Sequence, residues 1–268
     1  MRFIINKIEL NKVIIIGSGN VAWHLAHKLP YCGCSVVQIF SRTLTSAQSL
    51  AMEIGAEYTN DFAEILPDAD IYIYAVSDDA LSAVIQNVSA KNGLHIHTSG
   101  TVNMNIFEGK KENFGVLYPL QTFSKQKNVD FKQTPFFIEA NNEKNLIYLE
   151  NFAKKISEKL YKISSEQRKI VHLAGVLSCN FTNHLWNISY KLLKDNNLPF
   201  EILLPLIEES VEKLHYLSPQ QAQTGPAVRG DKKVIEKHLQ LLENDKDLQK
   251  IYKIFSKWIK NCKPKSTC

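Results

Sequence analysis

The sequence predicts a doubly wound, mostly parallel α/β sheet followed by an all-helical region. Three observations carry that prediction. Residues 13–16 are a continuous apolar, β-branched run that passes straight into Gly17-Ser18-Gly19-Asn20-Val21-Ala22. Apolar runs then alternate with helical spacing as far as residue 163, and beyond it no run has the character of a strand. Alternation of this kind specifies a sheet wound on both faces, and its loss marks a change of architecture.

Taken in order, residues 1–11 read as an irregular lead-in and 13–16 as a strand buried on both faces. Val21, Leu25 and Leu29 share one side of the helix that follows. Residues 35–40 form the second strand, and 43–54 a helix stopped by Gly55. A short strand at 56–58 precedes a brief helix to Leu66 capped by Asp61. Strand 69–76, a helix to Val88 and strand 94–97 continue the alternation. Extended runs at 114–117 and 134–140 flank a Pro-containing loop, and a helix over 143–159 with a strand at 160–163 completes the first domain, residues 1–164. The second, 165–268, opens on a helix of about 30 residues, near 45 Å long, which Asn196-Asn197-Leu198-Pro199 breaks. Further helices are expected over 200–217 and 231–258, separated by Ser218-Pro219 and by residues 223–231.

Composition bounds the function. The 268 residues are 44% hydrophobic and 22% charged, which is globular and large enough for two cores. The net charge of +5 owes much to lysines in the last helix, where Lys246, Lys250, Lys253, Lys257 and Lys260 share a solvated face. No aromatic–arginine platform accompanies them, so no nucleic-acid partner is expected. The five cysteines lack metal or disulfide spacing, no metal site is expected, and a reducing, cytoplasmic setting follows. Polar residues interrupt every apolar run at the N-terminus, and no run reaches the roughly 18 apolar residues of a membrane span, so no membrane partner is expected.

The glycine turn carries the functional expectation. In G-x-G-x-x-A between strand and helix, Gly17 permits the tight turn and Gly19 lets a pyrophosphate approach the backbone. Ala22 lets the helix pack closely, and the helix N-terminus presents free N–H groups. Ser18, Asn20 and Val21 complete that turn. An NAD site presents Asp or Glu at the end of the second strand, whereas this chain has Ser41-Arg42-Thr43. An arginine with two hydroxyls suits a 2′-phosphate, so NADP is the expected cofactor. Val76, Ser77 and Ser99 follow the fourth and fifth strands, where the nicotinamide half would lie; Asp78 and Asp79 cap the next helix as readily as they meet a ligand. His97 reads equally as a packed strand end. On the long helix, His172, Cys179, Asn183 and Asn187 share a stripe at 100° per residue, with Asn180 at its edge. Polar groups on a buried face need interhelical bonds or a substrate. Arg229 is a candidate carboxylate or phosphate clamp, or one half of an ion pair, and Asp231 a candidate N-cap.

With these motifs in hand, the chain resembles a bacterial family of provisionally named NADP oxidoreductases, which pair a Rossmann-like domain with a helical domain of unassigned function. The resemblance rests on 17–22, Phe40-Ser41-Arg42-Thr43, His97-Thr98-Ser99-Gly100, residues 118–124, the helix over 172–183, and 224–231. More remotely the chain is similar to pyrroline-5-carboxylate reductases, deazaflavin-dependent NADP reductases and the 6-phosphogluconate dehydrogenase superfamily. Those relatives imply a site in a cleft between domains and a homodimer formed through the helical half. Hydroxyacid members of that superfamily carry Lys four residues before Asn on the long helix. Here Val176 and Cys179 occupy those places, so lysine-assisted chemistry is not expected. The resulting expectation is hydride transfer between nicotinamide and a small C=O or C=N substrate. His172 would supply the proton, Asn180 and Asn183 would orient the substrate, and Tyr118, Gln121 and Thr122 would close the opposite wall. In the alternative, the chain binds NADP and a metabolite without catalysis, as a sensor. A second structural role for His172, bonding a carbonyl of the first domain, stands beside the catalytic one.

Overall fold

The computed structural model describes residues 10–261; the expectation of an irregular lead-in falls, for residues 1–9, outside that range. The chain divides into two compact units, 1–184 and 185–268. In the first, the elements run β1 (Asn11–Ile16), α1 (Asn20–Lys28), β2 (Cys34–Phe40), α2 (Leu44–Ile54), β3 (Glu57–Thr59), β4 (Ile71–Tyr74), α3 (Asp78–Asn87), β5 (Leu94–His97), β6 (Phe114–Pro119), β7 (Phe136–Ala140), α4 (Glu143–Lys154) and β8 (Leu160–Lys162). One sheet orders them β3-β2-β1-β4-β5-β6-β7-β8, all parallel except the β6–β7 pair. The doubly wound, mostly parallel sheet expected from the sequence is therefore present.

β1 shows why its apolar run is continuous. Val13 and Ile15 pack with α1, α2 and α4 residues such as Leu25, Leu50 and Phe152 on one face. Ile14 and Ile16 pack with Leu81 and Ile85 of α3 and with Phe107 on the other. All four are fully buried, and each contributes about 1.5–3 kcal/mol. Strand order reverses between β1 and β4, and ligands in such sheets bind beyond the carboxyl ends of the strands at that point.

The long helix begins as α5 (Ser165–Gly175), where Ser164 and Gln167 form a reciprocal capping box. It passes through a π-helical segment, Val176–Phe181, into α6 (Thr182–Asp195), and the unit boundary falls within α6. The π segment corrects the expected stripe. Its i→i+5 bonding inserts a residue, so Asn183 is turned by about 100° from the position that uniform α-spacing assigns it. Cys179, Asn180 and Asn183 are also exposed, not buried.

The remaining helices are α7 (Leu204–Glu212), α8 (Pro219–Ala222), α9 (Pro226–Arg229), α10 (Lys232–Leu241) and α11 (Lys246–Asn261). Two helices expected as single rods are broken. Pro205 starts α7 afresh after a 3₁₀ turn, and α10 ends at Leu241 before Asp245 accepts from the Leu248 N–H to open α11. The helix expected over 143–159 stops at Lys154, because Ser157 is drawn to the carbonyl of Thr134.

Candidate functional site

The glycine turn sits at the switch point. Gly17 has φ +130°, and a Cβ there would collide with the Ala75 carbonyl, so glycine is required. At Gly19 an added Cβ would meet nothing within 4 Å, and no side chain caps α1. The first-turn N–H groups of α1 therefore open onto free space, which suits an anion. Asn20 Nδ2 donates to the Phe123 carbonyl at 2.9 Å, and His24 Nε2 lies 3.0 Å from the Ser124 carbonyl. These bonds strap the loop after β6 to the start of α1, with Val21 half-buried beside it.

At the end of β2 the buried Ser41 hydroxyl is 2.8 Å from that of Ser18, tying the two halves of the turn together. Arg42 and Thr43 are exposed, and among the described residues no carboxylate pairs with Arg42. Thr43 is the N-cap of α2, whose first turn holds no acid.

After β4, Val76 packs against the core and Ser77 takes the N-cap position of α3, with Asp78 and Asp79 in the first turn. The Thr101 hydroxyl donates to Asp78, linking this loop to the one after β5. There Ser99 Oγ accepts from the N–H groups of Thr101 and Val102, at 3.1 and 3.0 Å. His97 is fully buried, stacked on Phe107, and its Nδ1 accepts from the Ser99 N–H. Burial, with the nearby Arg168 charge, pushes its pKa down to about 3, so it is a neutral core residue.

One constellation joins distant segments. Tyr118, at the end of β6, places its hydroxyl 3.1 Å from His172 Nδ1 on α5. A Cβ on Gly100 would stand 2.5 Å from that nitrogen and 2.9 Å from Tyr118 Cζ. His172 thus bonds a side chain of the sheet, where the structural alternative expected a backbone carbonyl. Beneath it, fully buried Arg168 pairs with Glu139 of β7 at 2.7 Å and donates to Ser165 and the Val102 carbonyl. Gln121 and Thr122 bond each other at the loop surface. Asn180 lies eight residues past His172, about 12 Å along the axis, and neither it nor Asn183 has a partner in the Tyr118–His172 cluster. Arg229 Nε donates to Asp231 at 2.8 Å; Asp231 stands at the N-cap of α10, but its side chain is spent on Arg229.

Two family models match parts of the chain. Residues 134–259 match the family model described as a domain of unknown function (DUF2520), and residues 2–104 that of shikimate / quinate 5-dehydrogenase. A solved structure from Bacteroides fragilis, provisionally named an NADP oxidoreductase, is 45% identical, covering 94% of this chain and 98% of that one with a TM-score of 0.89. The chain belongs to that family of provisionally named NADP oxidoreductases. A Thermotoga maritima protein is 21% identical over 93% of this chain and 98% of its own, with a TM-score of 0.79. Plasmodium falciparum pyrroline carboxylate reductase, solved with NADP bound, is 16% identical over 93% and 98%, with a TM-score of 0.58. These last two share the fold. None of the curated proteins matches the chain.

Arg168 and Glu139 carried no functional expectation in the sequence, and Gly100 only that of the loop after β5. Arg168 stands one turn before His172 on a helix face otherwise turned to the sheet, and a charge on that face was the available signal. Glu139 ends an apolar strand and Gly100 ends a hydroxyl-rich loop, and neither position announces a distant partner.

Proposed function

We propose that the chain is an NADP-dependent oxidoreductase moving a hydride between the nicotinamide and a small C=O or C=N substrate. The observation that carries this reading is the turn at the switch point, open at Gly19 and uncapped at α1, with unpaired Arg42 beside it. The name of the Bacteroides fragilis relative supports it. Backbone groups of Gly17, Ser18, Gly19, Asn20 and Val21 would hold the pyrophosphate, and Ser41, Arg42 and Thr43 the 2′-phosphate. Val76, Ser77 and Ser99 would line the nicotinamide half. When bound, NADPH supplies the hydride. His172 donates the proton that the reduced group takes up, with Asn180, Asn183, Gln121, Thr122 and Arg229 assigned to substrate. Residues 1–164 bind nucleotide, and 165–268 supply substrate groups and pair with a second copy.

Titration of the protein with NADPH and NADH tests the cofactor half. NADPH binds more tightly in wild type, and Arg42→Ala weakens it about 10- to 150-fold, the loss of one charge-assisted phosphate contact. Equal wild-type affinities overturn the assignment of Arg42. Loss of NADPH absorbance with imines, keto acids or aldehydes tests the reaction. Silence across that panel, with strong NADPH-induced stabilisation, favours a sensor.

A further inference from the structure

The Tyr118–His172 contact distinguishes the two nitrogens of the imidazole. Tyr118 is 9% exposed, whereas His172 is only half-buried. Nδ1 is the inner atom, 3.1 Å from the phenol oxygen and wedged against the Gly100 backbone, where a methyl group would stand 2.8 Å from the ring's Cγ. Nε2 is left without a partner among the described residues. Burial pushes the Tyr118 phenol above its usual range, with the Asp78 charge adding to the effect and Arg168 opposing it. The phenol therefore keeps its proton and has it to donate to His172 Nδ1, the ring atom within its reach. A neutral imidazole that accepts at Nδ1 carries its proton on Nε2.

We propose that Tyr118 is a positioning residue whose hydroxyl, with Gly100 as its backstop, fixes the ring and tautomer of His172 so that Nε2–H is presented to the substrate's C=O or C=N group. The inference rests on the oxidoreductase reading of this site and changes the role of His172 within it, from a charged acid to a neutral hydrogen-bond donor. In reduction the substrate carbon receives hydride and its heteroatom a proton from water. Negative charge developing on the heteroatom is held by Nε2–H, and the imidazole ends the cycle in the tautomer in which it began.

Long-range ¹⁵N–¹H correlation on the labelled full chain, with His172→Gln to assign the resonance, tests this without a substrate. In wild type near neutral pH, Nε2 carries the proton and the Nδ1 resonance is displaced from that of a free imine-type nitrogen. Tyr118→Phe and Gly100→Ala each abolish the displacement, while NADPH affinity stays within about twofold. A protonated Nδ1 in wild type, or an Nδ1 resonance unmoved by Tyr118→Phe, overturns the proposal. If NADPH fails to bind wild type, the oxidoreductase reading falls while the nitrogen resonances still decide the tautomer. With any substrate that is turned over, Tyr118→Phe lowers kcat at least tenfold at unchanged KM, and an unchanged kcat refutes the positioning role.

Discussion

His95 and His97 occupy β5 with their rings inside the protein, and that placement has a cost in acid. His95 stacks on Tyr72 at 4.6 Å and bonds the Tyr74 hydroxyl, while His97 stacks on Phe107. Burial pushes both down to about 3, assisted by Lys111 for His95 and by Arg168 for His97. Between pH 6.5 and 3 the unfolded chain binds protons at these positions and the native state does not. Stability is therefore complete above pH 6.5 and declines as pH falls through that window, by about 1.4 kcal/mol per pH unit for each histidine. Urea unfolding measured from pH 8 to 4 should show this decline, and His97→Gln should reduce its slope by one proton's worth. A variant with the wild-type slope would mean that His97 titrates alike in both states. His97 also shows what a lone residue conveys in sequence. A histidine at a strand end is compatible with a ligand site or a core, and only its enclosure by Phe107 and Arg168 decides between them.

Arg168 and Glu139 join α5 to β7, and on that pair the placement of His172 depends. Glu139 accepts from Arg168, the Ser165 N–H and the Ser165 hydroxyl, so its carboxylate is satisfied at three points. Glu139→Ala leaves the guanidinium buried without its counter-charge, which costs about 3–5 kcal/mol. The double variant Glu139→Leu with Arg168→Met removes both charges and should recover much of that loss in urea midpoint. If the single variant costs no more than the double, the pair contributes no such coupling. At this scale β1, β2, β4 and β5 were legible because apolar runs bounded by turn residues leave little choice. The glycine turn was legible because Gly17 and Gly19 answer local requirements of backbone and ligand. The π segment was not, since apolar spacing alone does not reveal an i→i+5 turn inside a helix. Nor was the Tyr118–His172 bond, which joins residues 54 positions apart through a register that only the folded sheet determines.

Among the described residues, the helical unit buries only Ala227. No residue of α6, α7, α10 or α11 is buried, and Leu206, Leu241 and Trp258 are 63%, 81% and 61% exposed. Scattered apolar side chains are normal on a surface, but four helices without one buried residue leave their apolar faces in water, and monomers rarely expose patches of that extent. The pairing with a second copy proposed above would cover these faces. Pairing like surfaces about a twofold axis buries the same residues twice, as closed homodimers do. Light scattering at micromolar concentration should return twice the chain's 30.5 kDa. Thermal unfolding should move upward with protein concentration, because assembly stabilises the folded chain by mass action. Leu206→Glu, which places a charge in the apolar face without opening a cavity, should shift the mass toward the monomer. Should that variant fail to fold, the wild-type concentration dependence still decides the matter. A monomeric mass with a Tm independent of concentration refutes the dimer.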